Sequence, residues 1–167
     1  MNLILTGFMG TGKTAVGKIV AKKLGWQFFD TDEIIEQETD LSISKIFANK
    51  GEPYFRELET KTIKLLCVLY KSVISCGGGA VLNEDNMEEL ENCGVVVCLT
   101  ASPEAILERT KGEARPLLQV KDPVTKIYEL LKAREKYYKR CRLMIDTTNL
   151  TPEQVADKII ESKLIAF

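Results

Sequence analysis

The stretch GFMGTGKT at residues 7–14 decides the fold, because it fits the phosphate-loop pattern G-x-x-x-x-G-K-[ST] at every position. An apolar run at residues 2–6 precedes it and predicts a buried strand, while the apolar spacing over residues 13–24 predicts a helix. Glycines let backbone N–H groups turn inward around an anion, and the helix N-terminus adds its positive dipole end. The sequence therefore predicts a nucleotide site; a glycine turn that merely links strand to helix is the weaker alternative.

The residue types within the loop match the chemistry of ATP. Lys13 can reach the β- and γ-phosphates, and the hydroxyl of Thr14 can bind Mg²⁺. Such a loop does not name a reaction, since GTPases, ATPases and small-molecule kinases share it. Neither N-K-x-D nor D-x-x-G occurs in the chain, which argues against a GTPase. We expect ATP contacts from Gly10, Thr11, Gly12, Lys13, Thr14 and Ala15.

Length, hydropathy and charge narrow the class of protein. At ~100–200 residues per domain, 167 residues predict a single domain over residues 1–167. No apolar run approaches the ~20 residues of a membrane helix, and no secretory leader is evident, so we expect a soluble, cytoplasmic protein that does not bind membranes. A net charge of -1 argues against nucleic acid as a partner.

The histidine and cysteine content restricts the chemistry further. The chain has no histidine, which removes Ser-His-Asp triads and histidine metal sites. Its five cysteines are never spaced C-x-x-C, so neither a zinc site nor a disulfide framework is predicted. We expect buried, reduced thiols. Any general base must then be a carboxylate or a lysine.

Five short apolar runs alternate with helical patterns along the chain. This alternation predicts a three-layer α/β/α fold, with helices on both faces of a five-stranded parallel sheet that binds ligands beyond the carboxyl ends of its strands. Helices are expected after Ser42 as an N-cap, from about Pro53 to Tyr70, and after Thr151, where Gln154 completes a capping box. The runs lie at residues 2–6, 26–29, 72–76, 95–99 and 143–146.

Two carboxylates, Asp30 and Asp32, follow the second predicted strand. One could hold Mg²⁺, and the other could hold or deprotonate an acceptor hydroxyl, which is the division of labour that phosphoryl transfer requires. The alternative is structural: Asp30 ends a strand, and Thr31 or Asp32 caps a helix.

Further candidates lie along the rest of the chain. Arg56 and Glu59 share a helix face at a spacing of three, where a solvated surface pair is the alternative. The glycines at 77–79 follow a buried strand and favour close approach of a ligand. Arg115 lies in a segment at about residues 111–122, predicted to move as a lid. Arg134 lies in a charged helix over residues 132–142, where a wet basic face is the alternative.

Taken together, these motifs resemble the shikimate kinase family over nearly the whole length of the chain. The motifs occur in the family's order and their joint match is highly specific. They are GFMGTGKT at 7–14, DTD at 30–32, F-R-x-x-E at 55–59, GGG at 77–79, RPLL at 115–118 and A-R-x-x-Y at 133–137.

The resemblance implies transfer of the γ-phosphoryl group of ATP to the 3-hydroxyl of shikimate, on the route to chorismate and the aromatic amino acids. It assigns Mg²⁺ to Thr14 and Asp30, and the acceptor hydroxyl to Asp32 as a candidate base. It also places Arg56 and Arg134 on the carboxylate of shikimate, since planar guanidinium groups suit a carboxylate that must be bound and oriented. By the same likeness shikimate is held within about residues 31–60 and beyond, by Asp32, Arg56, Gly77, Gly78, Gly79 and Arg134.

The resemblance also implies roles for the flanking parts. Glu59 would fix Arg56. Arg115 would contact ATP from the lid and, with Lys13 and Mg²⁺, stabilise the transferring group, while Arg109 and Pro152 would flank adenine. The expected strand order is 2-3-1-4-5, and we expect a monomer. The rivals are a kinase of another small acceptor, such as gluconate or a nucleoside monophosphate, and a catalytically silent nucleotide-sensing module.

Overall fold

The computed structural model describes residues 1–112, 118 and 120–165. Within these residues five parallel strands form one sheet in the order β2-β3-β1-β4-β5, which confirms the predicted fold and strand order. The central strand pairs on both sides, so that Leu5 lies opposite Ser75 on one neighbour and Val97 on the other. The strands are β1 (Asn2–Thr6), β2 (Gln27–Asp30), β3 (Ser72–Ser75), β4 (Gly94–Thr100) and β5 (Leu143–Asp146).

Helices cover both faces of the sheet. Because strand side chains alternate between faces, Ile4 of β1 packs into one core while Leu3 and Leu5 pack into the other. The helices of the described residues are α1 (Lys13–Leu24), α2 (Thr31–Thr39), α3 (Ile43–Lys50), α4 (Glu52–Cys67), α5 (Glu84–Cys93), α6 (Pro103–Thr110), α7 (Pro123–Tyr138) and α8 (Pro152–Glu161), with a 3₁₀ turn at Ala80–Leu82.

The two cores belong to different sets of helices. The core that contains Ile4 is completed by Ile63 of α4, Leu90 of α5 and Ile127 of α7. The core on the opposite face is completed by α1 and α8, whose inward positions include Val20. This packing covers both faces of the sheet, while a third, smaller core of Ile35, Ile46 and Phe55 joins α2, α3 and α4.

Several predicted boundaries differ from the structure by a few residues. The helix expected to reach about Tyr70 ends at Cys67, because the chain must turn back into β3 and Lys71 takes a left-handed φ of 56°. The charged helix expected over residues 132–142 is the end of α7 and stops at Tyr138. Four residues after this end, the backbone N–H of Arg142 donates to the carbonyl oxygen of Val96 in β4 at 2.8 Å, so the chain has already left the helix and joined the sheet.

The helix caps follow the sequence signals. The side chain of Ser42 accepts a hydrogen bond from the backbone of Lys45 at the start of α3. Thr151 and Gln154 form the predicted reciprocal capping box at the start of α8. None of the helices within the described ranges is long and apolar enough to cross a membrane. Part of the predicted lid over about residues 111–122, including Arg115, lies outside the described residues.

Candidate active site

The phosphate loop leaves the carboxyl end of β1 and turns into α1. Gly10 and Gly12 take left-handed φ angles of 74° and 93°, which residues with a Cβ rarely adopt. A Cβ on Gly10 would also lie 2.9 Å from Cγ2 of Thr110. The hydroxyl of Thr11 donates to the carbonyl of Phe8 at 2.8 Å and fixes the loop from inside. The glycines are therefore required by the backbone path as well as by an anion.

Lys13 lies folded over its own loop. Its ammonium group donates to the carbonyl oxygens of Gly7 at 2.9 Å and Phe8 at 3.0 Å. Burial lowers the pKa of Lys13, and the opposing attraction comes first from Asp32 and then from Asp30. A desolvated cation gains from a nearby anion, so this side chain suits a phosphate.

Asp30 joins the loop to the second strand. Its Oδ2 accepts from the hydroxyl of Thr14 at 2.8 Å, and its Oδ1 accepts from the backbone N–H groups of Asp32 at 3.0 Å and Glu33 at 3.4 Å. Asp30 thus ends β2, as the structural alternative states, but it is also the N-cap of α2, a role that this alternative gave to Thr31 or Asp32. Thr31 instead accepts the backbone N–H of Gly77. The same carboxylate still places an oxygen beside Thr14, where a cation could bind.

A cleft of about 370 Å³ joins the phosphate loop to the acceptor side. Its lining brings together residues from the ends of β1, β2 and β3 with residues from α3, α4, α6 and α7, as expected for the open edge of such a sheet. Two apolar residues that the motifs did not indicate, Ile43 and Phe47, also line it, together with Phe55, the first residue of the F-R-x-x-E motif. The predicted site residues in its wall are Gly10, Gly12, Lys13, Thr14, Ala15, Asp30, Asp32, Arg56, Gly77, Gly78, Gly79, Arg109 and Arg134.

Arg56 is held by two carboxylates from its own helix. Its Nη1 donates to Oε2 of Glu59 at 2.8 Å, and its Nη2 donates to Glu52 at 2.9 Å. The side chain of Arg56 is 25% exposed and that of Glu59 is 0% exposed, so the alternative of a solvated surface pair is wrong. Burial raises the pKa of Glu59 to about 7 against the attraction of Arg56. The second oxygen of Glu59, Oε1, has no hydrogen-bond partner in the described part of the chain.

Two of the three glycines, Gly77 and Gly79, make room for side chains of the site, while Gly78 lies against the backbone of the phosphate loop. A Cβ on Gly77 would lie 2.7 Å from both Oδ1 of Asp32 and Oε1 of Glu59, and a Cβ on Gly79 would lie 2.6 Å from Nη1 of Arg56. These contacts show that Asp32 and Glu59 meet across Gly77. Close approach to the backbone therefore explains these glycines, as the sequence predicted. The groups that approach in the structure are the protein's own charged side chains, and a ligand would need the same space.

Arg134 of α7 is buried, with 7% of its surface exposed. Its Nη1 donates to the carbonyl of Gly78 at 3.3 Å, and the hydroxyl of Tyr138 donates to the same oxygen at 2.7 Å. The alternative of a wet basic face is therefore wrong for this residue. The structure places Arg56 and Arg134 in the wall of one cleft, with Arg56 against Gly79 and Arg134 bound to Gly78.

The remaining predicted ATP residues lie beside a second, smaller cavity of about 280 Å³. Arg109 donates to the carbonyl of Thr147 at 2.7 Å and to that of Gly10 at 3.3 Å, which fixes it to the phosphate loop. Thr11 and Pro152 line this second cavity and not the main cleft. The two cavities share Gly12 and Arg109, so they lie next to each other.

Sequence reasoning missed two polar residues of the site. Tyr138 follows Arg134 by four residues, a spacing that puts both on one helix face and could have indicated it. Thr147 accepts from Arg109 at 3.0 Å and donates to the carbonyl of Thr11 at 3.1 Å. No spacing rule connects Thr147 to the loop, because the sheet alone brings them together. Arg115 lies outside the described residues, so its predicted contact stays a prediction.

Comparison with known proteins adds independent findings. The family model of shikimate kinase matches residues 9–163. The curated shikimate kinase of Thermodesulfovibrio yellowstonii is 52% identical over 161 residues, 96% of this chain and 93% of that protein, and the enzyme of Caldanaerobacter subterraneus is 45% identical with 96% and 95% covered. The solved shikimate kinase of Acinetobacter baumannii in complex with shikimate superposes with a TM-score of 0.94 at 39% identity, over 98% of this chain and 92% of that one.

Proposed function

The chain belongs to the shikimate kinase family, and we propose that it transfers the γ-phosphoryl group of ATP to the 3-hydroxyl of shikimate, giving shikimate 3-phosphate and ADP. The reaction is a step of chorismate and aromatic amino-acid biosynthesis. The observation that carries the proposal is the single cleft in which the phosphate loop, Asp32 and two buried or half-buried arginines, Arg56 and Arg134, face one space.

ATP would lie along the phosphate loop, with its phosphates on the backbone N–H groups of residues 10–15 and on Lys13. Thr14 and Asp30 fit Mg²⁺, because they offer a hydroxyl and a carboxylate oxygen 2.8 Å apart, and oxygen atoms are the ligands this ion prefers. When bound, Mg²⁺ neutralises charge on the phosphates. We assign adenine to the smaller cavity beside Arg109 and Pro152.

Shikimate would lie between the glycine run and α4. We assign its carboxylate to Arg56 and Arg134, because two guanidinium groups that line one cleft beside Gly77–Gly79 suit binding and orienting one planar anion. Its 3-hydroxyl would then face Asp32, whose carboxylate lies near the ammonium group of Lys13. Glu59 would keep Arg56 in position through Nη1, while Nε and Nη2 donate to Glu52, so that one N–H of each terminal nitrogen remains for the substrate.

The transfer itself requires positioned charges more than covalent help. Asp32 accepts the hydroxyl proton or orients the hydroxyl for in-line attack. Lys13 stabilises charge on the transferring group, and Arg115, from the lid at about residues 111–122, would do the same. The chain would act as a single-domain monomer in the cytoplasm, with shikimate and ATP as its partners.

The rival functions differ in measurable ways. A nucleoside monophosphate kinase would share the fold and the loop but would need base- or phosphate-selecting groups in place of two arginines on a carboxylate. A gluconate kinase would also bind a carboxylate, so the acceptor that it phosphorylates distinguishes it. A silent nucleotide-sensing module would release no ADP. Steady-state ADP release with MgATP would be measured with shikimate, quinate, gluconate, AMP and no acceptor. Release that requires shikimate and yields a product phosphorylated on the 3-hydroxyl is expected. Release that follows another acceptor, or none, would overturn the proposal.

A further inference from the structure

Two cysteines meet away from the cleft. Cys67 is the last residue of α4 and Cys93 is the last residue of α5, and their Sγ atoms are 2.6 Å apart. This separation is well inside the distance that two non-bonded sulfur atoms keep, and it exceeds the ~2.05 Å of a disulfide bond by roughly half an ångström. The helix ends therefore already hold the two sulfur atoms close to bonding distance.

The surroundings favour thiol chemistry over a metal site. In the described part of the chain, no group of three or more His, Cys, Asp or Glu side chains is arranged to hold a metal ion. Cys67 and Cys93 are partly exposed, so the expectation of buried thiols is wrong for this pair, as it is for Cys141. Cys76 and Cys98, by contrast, are buried.

The two thiols also differ in acidity. Contact with Cys67 lowers the pKa of the Cys93 thiol, and the same contact raises the pKa of Cys67. Burial raises the pKa of the remaining three cysteines, Cys76, Cys98 and Cys141. Since the thiolate is the attacking species and the two sulfur atoms are in contact, one member of this pair can begin an exchange reaction and the other can complete it.

We propose that Cys67 and Cys93 form a redox site, which closes to an intramolecular disulfide by exchange with a low-molecular-weight disulfide such as oxidised glutathione. The Cys93 thiolate attacks one glutathione sulfur, which forms a mixed disulfide and releases one glutathione thiolate. The Cys67 thiolate then attacks the sulfur of Cys93, which forms the internal bond and releases the second glutathione. Two electrons and two protons pass from the protein to the glutathione pair.

The position of the bond predicts its effect. It would close a loop over residues 67–93 that contains β3 and the glycine run, and would restrict the unfolded chain. Glu59 lies about two helical turns before Cys67, or about 12 Å along α4, so the charged groups of the cleft need not move. Oxidation should therefore raise the unfolding temperature by about 5 to 10 °C and change kcat/KM for shikimate less than about twofold.

The test compares each protein with itself in oxidised and reduced glutathione. Unfolding temperature, free thiols and the masses of disulfide-linked peptides would be measured for wild type, Cys67→Ser, Cys93→Ser and Cys141→Ser. Cys141 is the matched control because it is also partly exposed. Since each difference is taken within one variant, a general loss of stability from the substitution cancels.

We expect wild type and Cys141→Ser to give the linked 67–93 peptide and the rise in unfolding temperature, and the other two variants to give neither. The proposal would be overturned by a wild type that stays fully reduced or gathers only glutathione adducts. The proposal would also be contradicted if wild type gave the linked peptide but no rise in unfolding temperature, or if Cys67→Ser and Cys93→Ser showed the same rise as wild type.

Discussion

Asp32 meets the buried carboxylate of Glu59 across Gly77 and lies near the ammonium group of Lys13. If it acts on the acceptor hydroxyl, Asp32→Asn removes the base but keeps the shape of the side chain. We expect kcat to fall by the ~10² to 10⁴ typical of a lost general base, with the KM for ATP nearly unchanged. Steady-state kinetics with both substrates varied would measure this, and near-normal turnover would remove Asp32 from the mechanism.

The two arginines call for a different readout. A lysine keeps the charge of Arg56 or Arg134 but loses the planar fork that binds a carboxylate through two N–H groups. Arg56→Lys and Arg134→Lys should therefore raise the KM for shikimate by about tenfold or more, and the KM for ATP far less. Thermal unfolding of each variant is the control for folding. Equal effects on both KM values would contradict the carboxylate assignment.

Glu59 predicts a pH dependence of stability. Its pKa is raised from 4.5 to about 7, first by burial, while Arg56 opposes the shift and Asp32 and Glu52 add to it. Between these values the native state binds the proton that the unfolded state has released. The contribution of protonated Glu59 to the stability of the native state is therefore complete below about pH 4.5. It is lost as pH rises to about 7, and it amounts to on the order of 3 kcal/mol.

The substitution Glu59→Gln should remove this loss, because an amide does not titrate. Urea unfolding of wild type and Glu59→Gln at pH 5 and pH 8 measures the difference in free energy of unfolding between the two pH values. We expect a larger decrease in wild type than in the variant. The same decrease in both proteins would show that another group causes it.

Residue types and their spacing predicted most of the cleft, because phosphate and carboxylate binding need particular side chains in a particular order. They could not predict that Glu59 is fully buried, since its partners approach it from Gly77 and Asp32 on other elements. Thr147 escaped prediction for the same reason, as its contacts with Thr11 and Arg109 depend on the sheet.

At the scale of elements, the start of α8 is a clear test of local sequence. Thr151 accepts from the backbone of Gln154 at 3.2 Å, and Gln154 accepts from the backbone of Thr151 at 2.9 Å. Thr151→Ala should cost about 1 kcal/mol of stability and lower the unfolding temperature by about 2 to 4 °C. Calorimetry would measure it, with Glu153→Ala as an exposed first-turn control. An unchanged unfolding temperature would mean that water replaces the cap.

Element order was more predictable than element ends. The alternation of apolar runs and helical patterns determines which elements form, because each must bury one face. The end of α4 depends instead on where the chain turns into β3. Lys71 takes the left-handed conformation at this turn, and it is not a glycine or an asparagine, the residue types that usually indicate such a conformation in a sequence. Such tertiary constraints explain why α4 and α7 end earlier than their charged and apolar patterns suggest.

For the whole molecule, the parallel sheet is the reason that distant motifs form one site. The phosphate loop follows β1, the two aspartates lie at the end of β2 and the start of α2, and the glycine run follows β3. With β3 between β1 and β2 in the sheet, these three segments meet at one edge. The alternation of strands and helices predicts a parallel sheet, but the strand order was predicted from the resemblance to the shikimate kinase family. Local periodicity does not show which strands pair with each other.

The central claim is that this cleft selects a carboxylate-bearing alcohol beside the phosphates of ATP. The most direct measurement is the ratio of kcat/KM for shikimate to that for its methyl ester, in wild type and in Arg134→Met. A carboxylate held by two arginines predicts a ratio of at least ~10² in wild type and a much smaller ratio in the variant, with the KM for ATP unchanged in both. A wild type that phosphorylates the ester as well as shikimate, or a ratio that survives in Arg134→Met, would contradict it.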